Sequence, residues 1–262
     1  MIIGEKTFTR GTHVMAILNL TPDSFWKNSR VAADDALFAA ERAIEEGAEI
    51  LDIGAQSTRP GYTEVSAEEE ISRFANPVRE IKKRFDIPLS VDTYFSLSAR
   101  AALDEGADMI NDVYGLTHDG DMAEVIAKYN ASVCIMHNAK KQLEGDIFPQ
   151  ITAFLQNSVN LAIDAGIDKN KICLDGGIGF AKDRLQNLEL LASYDRLSVL
   201  GYPLLLGTSR KSLFGGDVND RLEPTLKSTK LSVKKGIMFV RVHDVKQNVQ
   251  AIKEARDEYG MC

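Results

Sequence analysis

Acidic, amide and cationic side chains recur at the ends of short apolar runs along this chain. The run ends carry Asn19, Asp52, Asp92, Asn111-Asp112, His137-Asn138, Asp175, Ser209-Arg210-Lys211-Ser212, and Arg241 with His243. Any one of these is also what a turn after a strand carries, because Asp and Asn start turns for local reasons. A series of them asks for a shared explanation, and the types sort. Carboxylates and amides follow the second, third, fourth and sixth runs. Fixed cations follow the seventh and eighth, with Arg59 in the loop after the second. Acceptors and amides on one side and cations on the other suit a ligand of two parts. One part is a flat, nitrogen-rich ring that donates and accepts hydrogen bonds. The other is an anion such as phosphate, whose oxygens an arginine fork fits. Asp175-Gly176-Gly177-Ile178-Gly179-Phe180 adds a glycine loop through which backbone can approach a ring, with Phe180 able to pack on it. Lys211 beside Arg210 also fits a Schiff-base lysine with a depressed pKa, so an aldolase-like lyase is compatible with the same residues. The sequence has no HExxH, no clustered Cys/His set and no GxSxG elbow.

These groups meet only if the elements that precede them bring their ends to one face. Residues 202–206, apolar after a proline, read as a strand buried on both sides, as in a parallel sheet. Comparable strands are expected at 14–19, 49–53, 88–91, 108–110, 132–136, 171–174 and 237–242. Helical periodicity follows each, at 34–46, 66–85, 96–105, 121–129, 148–165, 185–200, 222–235 and 245–258. Ser66 with Glu69 predicts a capping box on the second helix. Residues 2–10 alternate weakly and read as a short hairpin or lid. The units repeat at about thirty residues without a linker, which predicts a single (β/α)8 TIM barrel over residues 1–262 with a short N-terminal hairpin. A doubly wound sheet is the alternative, but no glycine-rich fingerprint follows the first strand, and Gly177-Ile178-Gly179 lacks the third glycine. In a barrel the C-terminal strand ends form one mouth.

Composition narrows the function. The chain has 262 residues, 44% of them hydrophobic, and a formal net charge of -7. It can bury a full core and carries no Lys/Arg-rich block, so neither disorder nor binding to nucleic acid or an anionic membrane is expected. The apolar runs are too short to span a membrane, and Met1 to Lys6 lacks the apolar core of a signal peptide. Cys134, Cys173 and Cys262 lie far apart, which fits a reducing cytoplasm and neither a disulfide framework nor a zinc site.

The strand-end motifs, taken in order, resemble those of the dihydropteroate synthase family along nearly the whole chain. They are Asn19-x-Thr21-Pro22-Asp23-Ser24-Phe25, Asp52-Ile53-Gly54-x-x-Ser57-Thr58-Arg59-Pro60-Gly61, Ser90-Val91-Asp92-Thr93 and Ile110-Asn111-Asp112. Met136-His137, Asp175-x-Gly177-Ile178-Gly179-Phe180, Ser209-Arg210-Lys211-Ser212 and Arg241-Val242-His243-Asp244 complete the series. The resemblance implies a (β/α)8 barrel, usually dimeric, acting in folate synthesis. Such enzymes join p-aminobenzoate to 6-hydroxymethyl-7,8-dihydropterin diphosphate, releasing pyrophosphate. It implies that Asp92, Asn111, Asp175 and Lys211 contact the pterin ring, with Asp92, Asp175 and Lys211 as the catalytic set. It places Asn19, Thr58, Arg59, Arg241 and His243 at the diphosphate, with Asn19 on the side of a Mg²⁺ ion. Ser212, at what reads as a helix start, is implied for the aminobenzoate carboxylate, and Pro60 and Phe180 for its ring.

The chain departs from the common pattern at several positions. Trp26-Lys27-Asn28 replaces an acid- and glycine-bearing loop, Ala55-Gln56 stands for Gly-Glu, and Gly176 stands for a proline, which predicts a looser turn. The segment 225–235 is lysine-rich where relatives often pack a dimer with alanines. Two other readings share part of the pattern. A pterin-dependent methyltransferase domain uses the acidic and amide strand ends but has no need of the two cation loops. A non-catalytic pterin-binding paralogue fits the altered first loop.

Overall fold

The computed structural model describes residues 1–20, 29–56, 65–139 and 141–260, with 29–32 given by backbone alone. A hairpin of β1 (Ile2–Ile3) and β2 (Lys6–Thr7) comes first. Eight parallel strands follow: β3 (His13–Asn19), β4 (Ile50–Gly54), β5 (Leu89–Asp92), β6 (Met109–Asp112), β7 (Ser132–Met136), β8 (Ile172–Asp175), β9 (Leu204–Leu206) and β10 (Phe239–Val242). They close into a barrel in the order β10-β3-β4-β5-β6-β7-β8-β9. The helices between and after them are α1 (Ser29–Glu45), α2 (Ala67–Arg84), α3 (Ser96–Asp104), α4 (Met122–Lys128), α5 (Ile147–Asp164), α6 (Arg184–Ala192), α7 (Leu222–Lys234) and α8 (Val245–Tyr259). The expected (β/α)8 barrel is therefore the observed fold, and the doubly wound alternative is excluded by closure of the sheet.

Alternation along the strands divides the core into two shells. Leu51, Ile53, Val91, Ile110, Val133 and Leu174 join the large apolar cluster shared with the helices. The alternate positions Met15, Ile50, Met109, Cys134, Cys173, Leu205 and Phe239 form a separate buried cluster inside the barrel. Moving two residues along a strand keeps the side chain on the same face. On four strands that step changes apolar to polar: Ile50 to Asp52, Met109 to Asn111, Cys173 to Asp175 and Phe239 to Arg241. A single interior thus carries an apolar floor and a polar upper layer, and the polar layer lies toward the C-terminal strand ends.

The hairpin belongs to the floor. Ile3 and Phe8 pack into the same inner cluster, and Ser132 Oγ donates to the Ile2 carbonyl at 2.7 Å where β7 begins. It plugs the end opposite the mouth, so the lid reading of residues 2–10 is corrected.

Three further differences have local causes. The first helix starts at Ser29, earlier than expected, since no glycine or proline interrupts 29–33 and Ala33, Ala36 and Ala40 are all buried. The stretch 185–200 splits into α6 and a 3-10 segment, Tyr194–Leu200, that ends in left-handed Gly201. The change of pitch buries Tyr194, whose hydroxyl reaches the floor of the mouth. Ser66 Oγ accepts from the Glu69 amide at 3.2 Å, but the Glu69 carboxylate turns to Arg73 at 2.6 Å, so the capping box is half made.

Candidate active site

The register of the barrel brings the polar strand ends into rows. Asn19 is the Cα partner of Gly54, Gly54 of Asp92, and Asp92 of Asn111. Asp175 is the partner of Met136 on one side and Leu205 on the other.

At the centre is Arg241. Its Nε donates to Asp52 at 2.5 Å and its Nη2 to Asp92 at 2.6 Å. Asp52 is fully buried and Asp92 nearly so. One guanidinium faces two buried carboxylates and cannot neutralise both. Burial raises the Asp92 pKa to about 7; Arg241 pulls it down, and Asp52, Glu70 and Asp112 push it up again. Burial works against the charge of Arg241, yet the two carboxylates outweigh it and its pKa rises. Asp52 Oδ1, Asp92 Oδ1 and Ser90 Oγ are buried without a hydrogen-bond partner among the described residues. Buried polar atoms are ordinarily satisfied, and on these adjacent strands two carboxylate oxygens and one hydroxyl have no partner among the described residues.

Asp175 forms the opposite wall. Its Oδ1 accepts from the Gly177 amide at 2.7 Å and from the Tyr194 hydroxyl at 2.9 Å. Tyr194 also accepts from the Gly176 amide at 2.7 Å. The described residues spend their bonds on Oδ1, which orients the carboxylate and leaves Oδ2 to the mouth. Gly176 was expected to loosen this turn. Instead its N–H is tied to Tyr194, a bond that a proline could not make.

Lys211 donates to the Ile178 carbonyl and sits 5.0 Å from the centre of the Phe180 ring. Burial lowers its pKa to about 8, with Asp175 and Asp92 opposing and Arg241 assisting. Arg210 is not the cause. Its guanidinium grips Asp244 with two bonds of 2.8 Å and lies toward the rim. At the other side His243 Nδ1 bonds Ser209 Oγ at 2.9 Å, and its Nε2 lies 3.4 Å from the Asn19 amide.

Most of the expected residues are therefore brought together: Asp92, Asn111, Asp175, Lys211, Phe180, Arg241, His243 and Asn19 converge on the mouth. Ser212 is exposed and opens only a three-residue 3-10 turn, Ser212–Phe214, so the expected helix start is not there. Thr58, Arg59, Pro60 and the loop with Trp26 to Asn28 lie outside the described residues. His137 is buried behind the glycine loop, and Asp112 anchors a turn by accepting from the Tyr114 and Leu116 amides. Sequence reasoning missed Tyr194 and Lys182 as supports of the site. Tyr194 falls inside the stretch 185–200 expected as one helix, and only its burial beside Asp175 shows its use.

A barrel whose mouth sets buried carboxylates and amides against two cations defines a class, and comparison identifies it. The chain belongs to the pterin binding enzyme family, whose model matches residues 15–243. It is 45% identical over 261 residues to a dihydropteroate synthase of Clostridium beijerinckii, covering 97% of each chain. A Clostridium difficile dihydropteroate synthase structure, determined in the presence of pteroic acid, superposes with a TM-score of 0.92 at 42% identity, covering 96% of this chain and 98% of that one. A Xanthomonas albilineans dihydropteroate synthase with 4-aminobenzoic acid superposes with a TM-score of 0.88 at 35% identity, covering 95% and 93%. Within the family the chain stands with the dihydropteroate synthases, which are transferases.

Proposed function

We propose that the mouth condenses a 6-hydroxymethyl-7,8-dihydropterin diphosphate with p-aminobenzoate in folate biosynthesis, with the whole chain acting as one pterin-binding barrel. The observation that carries the reading is the pair of buried acceptors, Asp52 Oδ1 and Asp92 Oδ1, which have no partner among the described residues, in a mouth where Asp92 and Asp175 both lie near Lys211. A pterin's amino and ring N–H groups match those acceptors together with Asp175 Oδ2, and its ring oxygen and nitrogens match Asn111 and Lys211. Phe180, with Lys211 over its face, forms one wall for the aryl ring. Ser212 and Pro60 remain assigned to the aryl amine, and Thr58 and Arg59 to the diphosphate, by resemblance.

In the reaction the amine nitrogen bonds the pterin methylene carbon as that carbon's bond to the diphosphate oxygen breaks. Pyrophosphate leaves with the electron pair, and the anilinium nitrogen loses a proton. Positive charge builds on the pterin in the transition state. Asp92 and Asp175 are placed to stabilise it, an effect of fixed charge in a dry site that is commonly the largest catalytic contribution. Arg241 and His243 face the departing anion.

Asn19 offers an exposed amide oxygen beside His243. Among the described residues no three carboxylates, histidines or cysteines are grouped to cage a metal. That donor set fits Mg²⁺, which takes many of its oxygens from phosphate and water. When bound, the ion supplies charge neutralisation to the diphosphate. No helix among the described residues is long and apolar enough to cross a membrane. A cytoplasmic location and a homodimer follow from the resemblance, and light scattering tests the second.

Turnover with the diphosphate substrate and p-aminobenzoate tests the reading, together with Asp175→Ala. Losing that acceptor leaves ring donors unpaired at a cost of about 1–3 kcal/mol or more. Pterin binding should become unmeasurable by calorimetry while the far-UV circular dichroism stays native. Undiminished pterin affinity in the variant would move the site elsewhere.

A further inference from the structure

Lys182 lies outside the mouth, behind the glycine loop, yet it spends two of its three ammonium protons on that loop. Its Nζ donates to the Gly177 carbonyl at 2.9 Å and to the Phe180 carbonyl at 2.9 Å. The third contact is His137 Nδ1 at 3.0 Å. His137 is held neutral, its pKa lowered to about 3 by burial and by the Lys182 charge, so Nδ1 is free to accept. The histidine is itself fixed, because its amide donates to the Asp175 carbonyl at 2.8 Å and its ring packs edge-on to Phe154.

The loop is closed by its own turn, with the Phe180 amide on the Gly177 carbonyl at 3.1 Å. Its remaining groups are taken from three sides. Gly177 N–H goes to Asp175, Gly179 N–H goes to Asn187 Oδ1 at 2.6 Å, and the Ile178 carbonyl accepts from Lys211. Lys182 ties together the two carbonyls that bracket the turn, Gly177 and Phe180. Gly177 sits at φ +69°, and an added Cβ would lie 1.9 Å from the His137 carbonyl. The loop therefore has one tightly nested position, and Lys182 is the group that selects it. Burial depresses the Lys182 pKa to about 7, with Asp175 pulling it up and Lys211 pushing it down.

We propose that Lys182 is a positioning residue for the aryl amine: it locks the turn 177–180, and the turn sets the Phe180 ring and the Lys211 ammonium against the substrates. The proposal rests on the reading of Phe180 as the wall of the aryl site. Removing the ammonium should misplace that wall and leave the phosphate side of the mouth, built on Asn19, Arg241 and His243, unmoved.

The test compares Lys182→Met, Asn187→Ser and Phe180→Ala in the full-length enzyme. Asn187→Ser releases the Gly179 amide and the Lys182 carbonyl from the opposite side, so it loosens the same turn while the Lys182 ammonium stays in the chain. Each should raise KM for p-aminobenzoate by about tenfold or more, since small misplacements near a reacting centre carry such effects. Pyrophosphate affinity with Mg²⁺, read by calorimetry, should stay within about twofold. A KM rise in Phe180→Ala with none in Lys182→Met overturns the proposal and leaves the aryl site standing. No KM change in Phe180→Ala overturns the aryl-site reading and the proposal with it. Equal losses for both ligands in Lys182→Met also overturn it, because they would show a general support of the mouth. If Lys182→Met does not fold, Asn187→Ser and Lys182→Gln decide the same question.

Discussion

Arg241 is the residue on which the two halves of the mouth depend. It bonds Asp52 and Asp92 through Nε and Nη2, so its planar fork is already half engaged before any ligand arrives. A lysine keeps the charge but lacks the planar fork that grips phosphate oxygens in pairs. Arg241→Lys should raise KM for the diphosphate substrate and lower kcat, while Lys211→Arg should weaken bare pterin, because a guanidinium is too broad for one ring contact. Calorimetry with pyrophosphate alone and pterin alone separates the two effects. Equal weakening of both ligands by both variants would refute the division into a phosphate side and a ring side. Asp92 adds a pH signature. Its pKa stands near 7 in the fold against an ordinary 3.8. A carboxyl raised on folding holds its proton more tightly in the native state, so its contribution is full below the ordinary pKa and is lost as pH rises through about 7. Asp92→Asn cannot ionise. Between about pH 4 and pH 7 the wild type should therefore lose stability relative to the variant, read as urea midpoints. At this scale the sequence was legible wherever a polar residue ended an apolar run, which is how Asp92, Asp175 and Arg241 were found. Tyr194 and Lys182 were not legible, because their partners are a carboxylate and carbonyls distant in sequence or hidden in a turn.

The elements were legible to within a residue or two where periodicity ran unbroken, as in 66–85 and 148–165. The miss at 185–200 has a steric reason. Tyr194 must turn inward to reach Asp175 and the Leu205 carbonyl, and a continuous α-helix would carry it past them. The 3-10 segment makes that reach, and it packs against the glycine at 176 in return. A Cβ at Gly176 would meet Leu197 Cδ1 at 2.8 Å and Tyr194 Cε2 at 3.0 Å. The glycine, expected to loosen the turn, is what admits this close packing of the 3-10 segment under the loop. Gly176→Ala should destabilise the protein by about 1–3 kcal/mol through overpacking, and it should also weaken pterin binding by displacing Tyr194 from Asp175. Adding Leu197→Ala makes room at one of the two contacts. The double variant should recover part of the pterin affinity, and a cycle showing strict additivity would mean that the two positions do not share the space.

Across the whole molecule, the barrel separates holding from reacting along its axis. The floor is apolar and closed by the hairpin, with Ile3 fully buried among Met15, Met109 and Phe239. The mouth carries the buried charges, and a step of two residues on four of the strands leads from one to the other. The outer face is different again. Two of the three lysines of α7 are engaged in ion pairs, Lys227 with Glu223 at 2.8 Å and Lys230 with Glu254 of α8 at 2.7 Å, and Lys234 lies over the Tyr259 ring, so the lysine-rich segment carries charge on its surface. This division predicts that stability and catalysis can be changed independently. Ile3→Ala removes buried apolar volume from the floor and should cost about 2–5 kcal/mol, the usual range for such a truncation. It touches no group of the mouth, and the strands between are held by their ladder hydrogen bonds. At a temperature where the variant is still fully folded, kcat and both KM values should match the wild type. Combined with Asp175→Ala, the two losses of stability should add within about 0.5 kcal/mol, as for sites that share no partners. A changed KM for p-aminobenzoate in Ile3→Ala would show that the hairpin reaches the mouth after all, through the strands it plugs.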